Sequence, residues 1–145
     1  MATKELITTP GLDVQFLVDE KDSGGSTTAF LARVGPGAPT PPPHHHADWD
    51  ETVYCTQGTI TYTVDGDKHE LEQGQALCVR RGQTHKFDNH TTADAWMLVV
   101  STPGLFREEY FLSIAEILSA ASGGPPDMAA LLAVQADHGV TIAPG

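Results

Sequence analysis

The chain has 145 residues, of which 40% are hydrophobic and 19% are charged, with 14 Gly and 10 Pro; this balance predicts one globular domain, residues 1–145, rich in turns and short strands. Eight basic residues against nineteen acidic residues give a formal charge of -11, which excludes nucleic acid and an anionic membrane surface as expected partners because like charges repel. The N-terminus lacks an apolar segment of signal-peptide length, and no run approaches the ~20 apolar residues of a membrane span, so we expect a cytoplasmic protein.

The two cysteines, Cys55 and Cys78, are far apart in the sequence and lack the spacing of a metal-binding pair. In a reducing compartment such residues usually behave as small hydrophobic side chains. We therefore expect both to be buried, and we expect no disulfide between them.

Turn residues divide the first hundred residues into short segments of strand-like composition. Pro10-Gly11 and Asp65-Gly66 are clear turn signals, and residues 22–26 are expected to form a loop. The run at residues 95–100 is apolar without alternation, which is typical of a strand covered on both faces. About nine short strands of this kind favour a sandwich or a barrel. The predicted strands cover residues 3–9, 14–19, 27–34, 51–56, 59–64, 69–71, 76–79, 84–87 and 95–100.

The hydrophobic period changes after Pro103-Gly104. Apolar residues then recur at helical spacing and predict a helix over residues 105–120. A second helix is expected to begin near Asp127, a favourable N-cap residue, and to end at Gly139. The chain thus divides into a β-barrel over residues 1–102 and a helical extension of the same domain over residues 103–145. The residues of the first apolar stripe are Phe106, Tyr110, Ile114, Ile117 and Leu118.

A run of three histidines follows the proline-rich segment at residues 41–43. On an extended segment the two-residue side-chain period directs His44 and His46 to one side and His45 to the other. Glu51 follows at an odd offset, so the chain must turn through residues 47–50 before the next strand. We expect His85, on a later strand, to bring a third imidazole to the same interior.

Three imidazoles and one carboxylate suit a divalent transition metal, such as iron, manganese, nickel, cobalt, copper or zinc, and they do not suit calcium. Four protein ligands on a six-coordinate ion leave two positions open, which is the form of a reactive centre. The predicted ligands are His44, His46, Glu51 and His85. Asp48 and Asp50 stay open as substitutes for Glu51, although Glu51 begins the alternating strand.

The remaining residues of these types receive other expectations. Histidines outside the predicted ligand set are expected at the surface, and the aromatic residues of the barrel are expected mainly to pack. The histidines are His45, His69, His90 and His138, and the aromatic residues are Trp49, Tyr54, Tyr62, Phe87 and Trp96.

These residues resemble the two characteristic motifs of the cupin superfamily. The first motif is Gly, five residues, His-x-His, three or four residues, Glu, six residues and Gly. His44, His46, Glu51 and Gly58 match it, whereas Gly37 lies one residue too far from the first histidine.

The second cupin motif is Gly, five residues, Pro-x-Gly, two residues, His, three residues and Asn. Gly74, Gly82, His85 and Asn89 match this spacing, and Arg80 stands where the family usually has proline. The resemblance covers residues 14–101 and implies an all-β jelly-roll (double-stranded β-helix) barrel with two C-terminal α-helices. The helical tail is similar to that of small single-domain bacterial cupins near quercetin 2,3-dioxygenase.

The resemblance also implies an activity. It suggests a dioxygenase that brings O2 together with a small flavonol-like, aromatic or diketone substrate at one metal ion, with Glu51 also accepting the substrate proton as general base. It further suggests a homodimer in which the N-terminal strand joins a partner sheet. Two alternatives stay open: a non-catalytic cupin that binds a metal or a small molecule, and a sugar isomerase or epimerase.

Overall fold

The computed structural model describes residues 4–144, which fold mainly as β-structure, and residue 3 of the first predicted strand lies outside this range. Eleven strands and three helices occur in this part of the chain. The strands are β1 (Leu6–Thr9), β2 (Leu12–Val18), β3 (Thr28–Val34), β4 (His44–His46), β5 (Asp50–Gln57), β6 (Thr59–Val64), β7 (Asp67–Glu72), β8 (Ala76–Val79), β9 (His85–Asp88), β10 (Ala95–Thr102) and β11 (Val140–Ile142). The helices are α1 (Glu20–Ser23), α2 (Glu108–Ala120) and α3 (Met128–Asp137).

The strands form two antiparallel sheets. The six-stranded sheet has the order β1-β2-β3-β10-β5-β8, and the five-stranded sheet has the order β11-β4-β9-β6-β7. After β3 the chain crosses repeatedly between the sheets, so that β4 and β5, although consecutive, lie in different sheets. This arrangement, with α2 and α3 at the C-terminal end, confirms the predicted all-β jelly roll with two C-terminal helices.

The core lies between the two sheets and follows from the two-residue period of the strands. Side chains in β3 alternate between buried and half-buried positions, and Val53 and Cys55 in β5 are fully buried beside exposed Thr52 and Tyr54. Burying one large aliphatic side chain contributes about 1.5–3 kcal/mol. The alternating pattern therefore fixes the register of each strand, because a slip of one residue would expose the whole buried face.

The C-terminal segment returns to the barrel after its helices. Asp127 is the N-cap of α3 and accepts a hydrogen bond from the Ala130 amide at 3.0 Å, and Gly139 ends the segment with φ 77, as the sequence predicts. The strand β11 then pairs antiparallel with β4, so that Val140 lies opposite His46 and Ile142 opposite His44. The tail thus forms the edge of the sheet that carries the histidines.

Several local expectations were wrong. Cys55 is buried as predicted, whereas Cys78 is exposed because it lies on the outer face of β8. Strand β10 alternates between buried and half-buried residues and is fully covered on only one face. Part of the expected loop at residues 22–26 belongs to α1, whose N-cap Asp19 exchanges hydrogen bonds with Asp22. The pairing of β11 with β4 has no counterpart among the predicted strands.

The outer surface bears on the remaining expectations. His69 and His90 are exposed as predicted, whereas His45 and His138 are half-buried. No helix in residues 4–144 is long and apolar enough to cross a membrane. Strand β1 lies at the edge of the six-stranded sheet, where it could join a partner. The predicted homodimer, single domain and cytoplasmic location stay predictions.

Candidate metal centre

Strand β4 directs His44 and His46 into the barrel. Their exposed fractions are 7% and 2%, whereas His45 between them is half-buried on the other face. The two-residue period of a strand accounts for this difference. The proline-rich segment before β4 cannot donate hydrogen bonds from its proline nitrogens, and it lies outside the strands.

Strand β9 brings His85 to the same place. His85 lies directly opposite His44 in the antiparallel pair of β4 and β9, and it is 2% exposed. The ring centroid of His85 lies 4.4 Å from that of His44 and 4.7 Å from that of His46. One candidate ligand atom from each of these three residues lies within 4.8 Å of the others, so this group fits a metal site.

Glu51 reaches the histidines from the opposite sheet. The chain leaves β4 after His46, turns through residues 47–49 and enters β5 at Asp50, which explains the odd offset of Glu51. The Glu51 side chain is buried, and its Oε2 lies 3.2 Å from Nε2 of His85. Asp48 is exposed, and Asp50 accepts a hydrogen bond from the Arg81 amide at 3.0 Å. The structure therefore places Glu51 beside His85, whereas neither aspartate has a recorded contact with the histidines.

The outer ring nitrogens of two histidines are fixed by the backbone. Nδ1 of His44 lies 2.9 Å from the Pro42 carbonyl oxygen, and Nδ1 of His85 lies 2.9 Å from the Gln83 carbonyl oxygen. A carbonyl accepts a hydrogen bond, so each Nδ1 must carry the proton. In the neutral ring, Nε2 then presents a lone pair to the interior, as is usual for metal-binding histidines.

The inner ring nitrogens provide a test of whether a metal fits here. Among the described residues, the buried Nε2 atom of His46 has no hydrogen-bond partner, and the buried Nε2 atom of His85 faces the Glu51 carboxylate. Buried polar atoms without a partner are rare and costly in folded proteins. These two nitrogens and the buried carboxylate are a donor set that suits a divalent transition metal.

The protonation of the group follows from burial and from the paired charges. Burial lowers the pKa of His46 to about 3 and, with the neighbouring His85, also lowers the pKa of His44. Burial by itself would lower the pKa of His85, but the adjacent Glu51 carboxylate outweighs it and raises that pKa. Burial would likewise raise the pKa of Glu51, but the adjacent His85 lowers it. Glu51 is therefore an ionised carboxylate at neutral pH, and His44 and His46 are neutral imidazoles.

The turn before β9 links the two motifs and explains one departure from the family pattern. The Gly82 amide donates to the His46 carbonyl oxygen at 2.8 Å, which joins this turn to β4. The Arg80 amide donates to the Gln83 side chain at 2.9 Å. A proline at position 80 has no amide proton and could not make this bond. A side-chain hydrogen bond therefore fixes the turn where proline does so in the family.

Two other motif residues have structural roles. Gly58 has φ +76, and a Cβ at this position would lie 2.6 Å from the Asp94 carbonyl oxygen, so only glycine fits. The buried Asn89 side chain donates to the carbonyl oxygens of Val34 and Ala93 at 2.9 and 2.8 Å. These residues hold the ends of the strands in place and do not contact the histidines.

His44, His85 and Glu51 adjoin a cavity of about 50 Å³, called here the metal cavity. His46 is stacked on Trp49 with the ring centroids 4.3 Å apart, and Trp49 is stacked in turn on Phe106. Three side chains that bear ionisable metal-binding groups, His44, Glu51 and His85, line a cavity that is otherwise mainly apolar and aromatic. The other lining residues are Leu12, Val14, Phe30, Ala32, Pro41, Tyr62, Phe87, Met97, Val99, Phe106, Tyr110, Phe111, Gln135 and Val140.

Several of these lining residues were not identified from the sequence. Tyr62 and Phe87 were expected mainly to pack, and they also face the cavity. Phe106 and Tyr110 belong to the predicted apolar stripe, which did not indicate the surface that it would cover. Gln135 is a buried polar residue on α3, and no spacing in the sequence distinguished it.

Comparison with known proteins identifies the family. Residues 30–101 match the family described as the cupin domain. The protein TcmJ of the tetracenomycin polyketide synthase, from Streptomyces glaucescens, is 32% identical over 89 residues, which are 60% of this chain and 59% of that protein. Quercetin 2,3-dioxygenase from Bacillus subtilis is 35% identical over 75 residues, which are 50% of this chain and 21% of that enzyme.

A solved structure supports the same assignment. A sugar phosphate isomerase of the cupin superfamily from Silicibacter pomeroyi superposes with a TM-score of 0.57 and 26% identity, covering 70% of this chain and 71% of that one. The chain spans only 59% and 21% of the lengths of the two relatives that it matches in sequence, so their activities are not transferred with the family. The matched motifs, the two-sheet barrel and the three-histidine group together identify this protein as a member of the cupin superfamily.

Proposed function

We propose that this protein is a metal-dependent cupin dioxygenase that acts on a neutral aromatic compound or diketone with two neighbouring oxygen atoms, such as a flavonol. The observation that carries this proposal is the convergence of three imidazoles and one ionised carboxylate beside an otherwise mainly apolar cavity. His44, His46, Glu51 and His85 would hold one divalent transition metal. The bound metal would supply a Lewis-acidic, redox-capable centre with positions open to O2 and to the substrate oxygens.

Glu51 has a second role in this proposal. Its pKa is lowered despite burial, because of the adjacent His85, so a carboxylate oxygen is free of protons at neutral pH. It can then accept the hydroxyl proton of a substrate that binds through neighbouring oxygens, as a general base. The apolar walls of the metal cavity limit the access of water, which strengthens the interaction between the carboxylate and the proton that it receives.

The charges of the described residues argue against a phosphorylated substrate. No lysine or arginine of residues 4–144 lines the metal cavity. Arg33, which lies in the barrel, is paired with Asp13 and with Asp94 on the outer side of its sheet. A phosphate group normally requires such cationic side chains. We therefore propose that this protein shares the fold of the sugar phosphate isomerase and not its type of substrate.

Measurement of O2 consumption tests the proposal. The protein is prepared without metal, loaded separately with each candidate ion, and mixed with quercetin or pentane-2,4-dione. We expect O2 uptake that depends on both the metal and the substrate, and we expect Glu51→Gln to lower its rate by about 10²–10⁴-fold because the general base is lost. Asp48→Asn, an exposed carboxylate in the neighbouring turn, serves as the matched control and should leave the rate unchanged.

A non-catalytic binding module is the competing function. The small metal cavity of about 50 Å³ is compatible with it, because a small chelating ligand could be held there without turnover. Such a protein would be stabilised by the metal and by the ligand, since ligands that bind only the folded state raise its stability. Stabilisation by every candidate ion without any O2 uptake would reject the dioxygenase and support the binding module.

A further inference from the structure

A second and larger cavity lies directly beside the metal cavity. Its volume is about 350 Å³, and we call it the outer cavity. Its walls come from β1, β2 and the turn between them, from the proline-rich segment before β4, and from helices α2 and α3 with the loop that joins them. The residues that line only this cavity are Ile7, Thr9, Pro10, Pro39, Thr40, Pro42, Ile114, Leu118, Pro126 and Leu131.

A single set of side chains separates the two cavities. Six residues line both of them, and together they form what we call the partition: Leu12, Val14, Pro41, Tyr110, Phe111 and Gln135. Three of these residues come from the barrel and its entry segment, and three come from the helices. The partition is therefore the contact between the barrel and the helices α2 and α3, which together we call the helical cap.

The volumes of the two cavities limit what the metal cavity can hold. The metal cavity measures about 50 Å³, which leaves room for the metal-chelating end of a ligand and not for several rings. Sites for small organic ligands usually measure ~300–1,000 Å³. A compound with several rings therefore exceeds the metal cavity, whereas the adjoining 350 Å³ is large enough for its distal rings.

The lining of the outer cavity determines the class of compound. No charged residue lines it among the residues that the structure describes. The hydroxyl of Thr9 already donates to the Leu12 carbonyl oxygen at 2.7 Å, and that of Thr40 donates to Asp88 at 3.1 Å. The Gln135 amide and the Tyr110 hydroxyl are the other polar side-chain groups of the lining. Such walls accept a neutral apolar body and would leave the charges of an anion or the hydroxyls of a sugar poorly satisfied.

We propose that the outer cavity holds the distal rings of a neutral polycyclic hydroxyaromatic substrate, whose chelating oxygens reach the metal cavity past Tyr110 and Gln135. This inference rests on the proposed function, because it assigns the substrate of that same site. Tyr110 and Gln135 are the two polar residues of the partition, so they determine which substrate oxygens can pass or bind there.

Gln135 is the residue of the partition most suited to open the passage. It is the buried residue of α3, whereas its neighbours along the helix are exposed or half-buried. Its side chain is unbranched and can move aside by changes of rotamer alone. Leu12 and Val14 are held on β2, and Pro41 is held by its ring. The helical cap therefore contributes the movable part of the partition.

The proposal is tested by filling the outer cavity. Leu131 on α3 lines this cavity alone, and Leu131→Trp places a larger side chain in it. Binding is measured by titration calorimetry on the zinc-loaded protein under argon, so that no oxidation occurs. Two probes are compared: quercetin, and 3-hydroxypyran-4-one, which keeps a hydroxyketone chelating group and lacks the distal rings.

We expect Leu131→Trp to weaken quercetin binding by at least ~10-fold, which corresponds to about 1.4 kcal/mol. The affinities for zinc and for 3-hydroxypyran-4-one should stay within about twofold, because the metal cavity is unchanged. Leu132→Trp, at the adjacent exposed position of the same helix, is the matched control and should change none of the three affinities. Ile114→Trp fills the same cavity from α2 and repeats the test if Leu131→Trp does not fold.

Two results would overturn this proposal. One is unchanged quercetin affinity in the cavity-filling variants, and the other is an equal loss of affinity for both probes. The proposed function fails in a different way. If quercetin binds with the expected affinities and no metal supports O2 uptake, the proposed substrate site is supported and the proposed dioxygenase activity is rejected. If 3-hydroxypyran-4-one binds and quercetin does not, the outer cavity is not a substrate site, whatever the O2 result.

Discussion

The metal cavity and the outer cavity share a wall, but different parts of the fold build them. The proposed metal ligands stand on strands of both sheets, and backbone carbonyls fix two of the imidazoles. The outer cavity lies between the barrel and a helical cap whose contacts are made by apolar side chains. Strand pairing positions the reactive groups, whereas side-chain packing shapes the space for the rest of a substrate. Substitutions should therefore affect the two cavities separately.

Loss of His85 should produce the largest effect and should affect the metal cavity alone. His85→Ala removes one proposed ligand and leaves the buried Glu51 without its neighbour. We expect metal affinity to fall by at least ~100-fold, since even residues that only support a ligand commonly change it by 10–100-fold. Metal content after dialysis and direct titration measure this loss.

The control for His85 is His45→Ala, which removes a histidine from β4 that faces away from the group. The His45→Ala variant should bind the metal with the same affinity as the unsubstituted chain. If His45→Ala lost metal as completely as His85→Ala, the site would not be the one described, and the contrast between the two cavities would lose its basis.

Truncation of Phe106, which lines the metal cavity, should destabilise the fold, because this ring joins the barrel to the helical cap. It lies 5.4 Å from Trp49 and 5.1 Å from Tyr110, measured between ring centroids, and is 7% exposed. We expect Phe106→Ala to lower the free energy of unfolding by about 3–5 kcal/mol. Chemical denaturation followed by tryptophan fluorescence measures the change.

The neighbouring residue supplies the comparison for Phe106. Leu105 is 41% exposed, so Leu105→Ala should cost no more than about 0.5 kcal/mol. Equal costs at the two positions would contradict the assignment of Phe106 as the joint between the barrel and the helical cap.

Loss of the N-cap residue of α3 should produce the smallest effect and should affect the outer cavity alone. Asp127→Ala removes the hydrogen bond to the Ala130 amide, and we expect a loss of about 1 kcal/mol in the free energy of unfolding. Quercetin affinity should weaken because α3 carries Leu131 and Gln135, while zinc affinity should stay the same. Denaturation and calorimetry measure the two effects.

An acidic residue at the other end of α3 provides the control for this prediction. Asp137→Ala removes an exposed carboxylate that caps no helix N-terminus and lines neither cavity. It should leave quercetin affinity unchanged. A fall in zinc affinity with Asp127→Ala would indicate that the helical cap helps to position the metal-binding groups, contrary to the separation described above.

Much of the barrel could be predicted because its signals are local. Alternation of side chains identified strands close to β5 and β6, and β-compatible composition identified one close to β3. Asp65-Gly66 identified the hairpin between β6 and β7. The site was predictable for a related reason. Two short motifs with fixed gaps predict His44, His46, Glu51 and His85 as ligands. The fold groups the three histidines and places Glu51 beside His85, and the complete ligand set stays a prediction.

Other features could not be predicted from local patterns. The residues around Cys78 are typical of a strand, but they do not show which face of β8 is covered, and this decides that Cys78 is exposed. The apolar stripe of α2 indicated a buried face without indicating its partner. Gln135 lies among apolar residues of α3 and is distinguished only by its position over the barrel.

The sequence by itself determined the strand periods, the turn positions and the spacing of the metal-binding residues, because each depends on residues close together in the chain. Only the tertiary structure decided that β11 returns to pair with β4 and that α2 and α3 close over the barrel. Those contacts join residues up to about a hundred positions apart, and they depend on complementary shape, which no local period encodes. The cupin barrel can thus be predicted from the sequence, whereas the outer cavity that would select a substrate can be identified only from the tertiary structure.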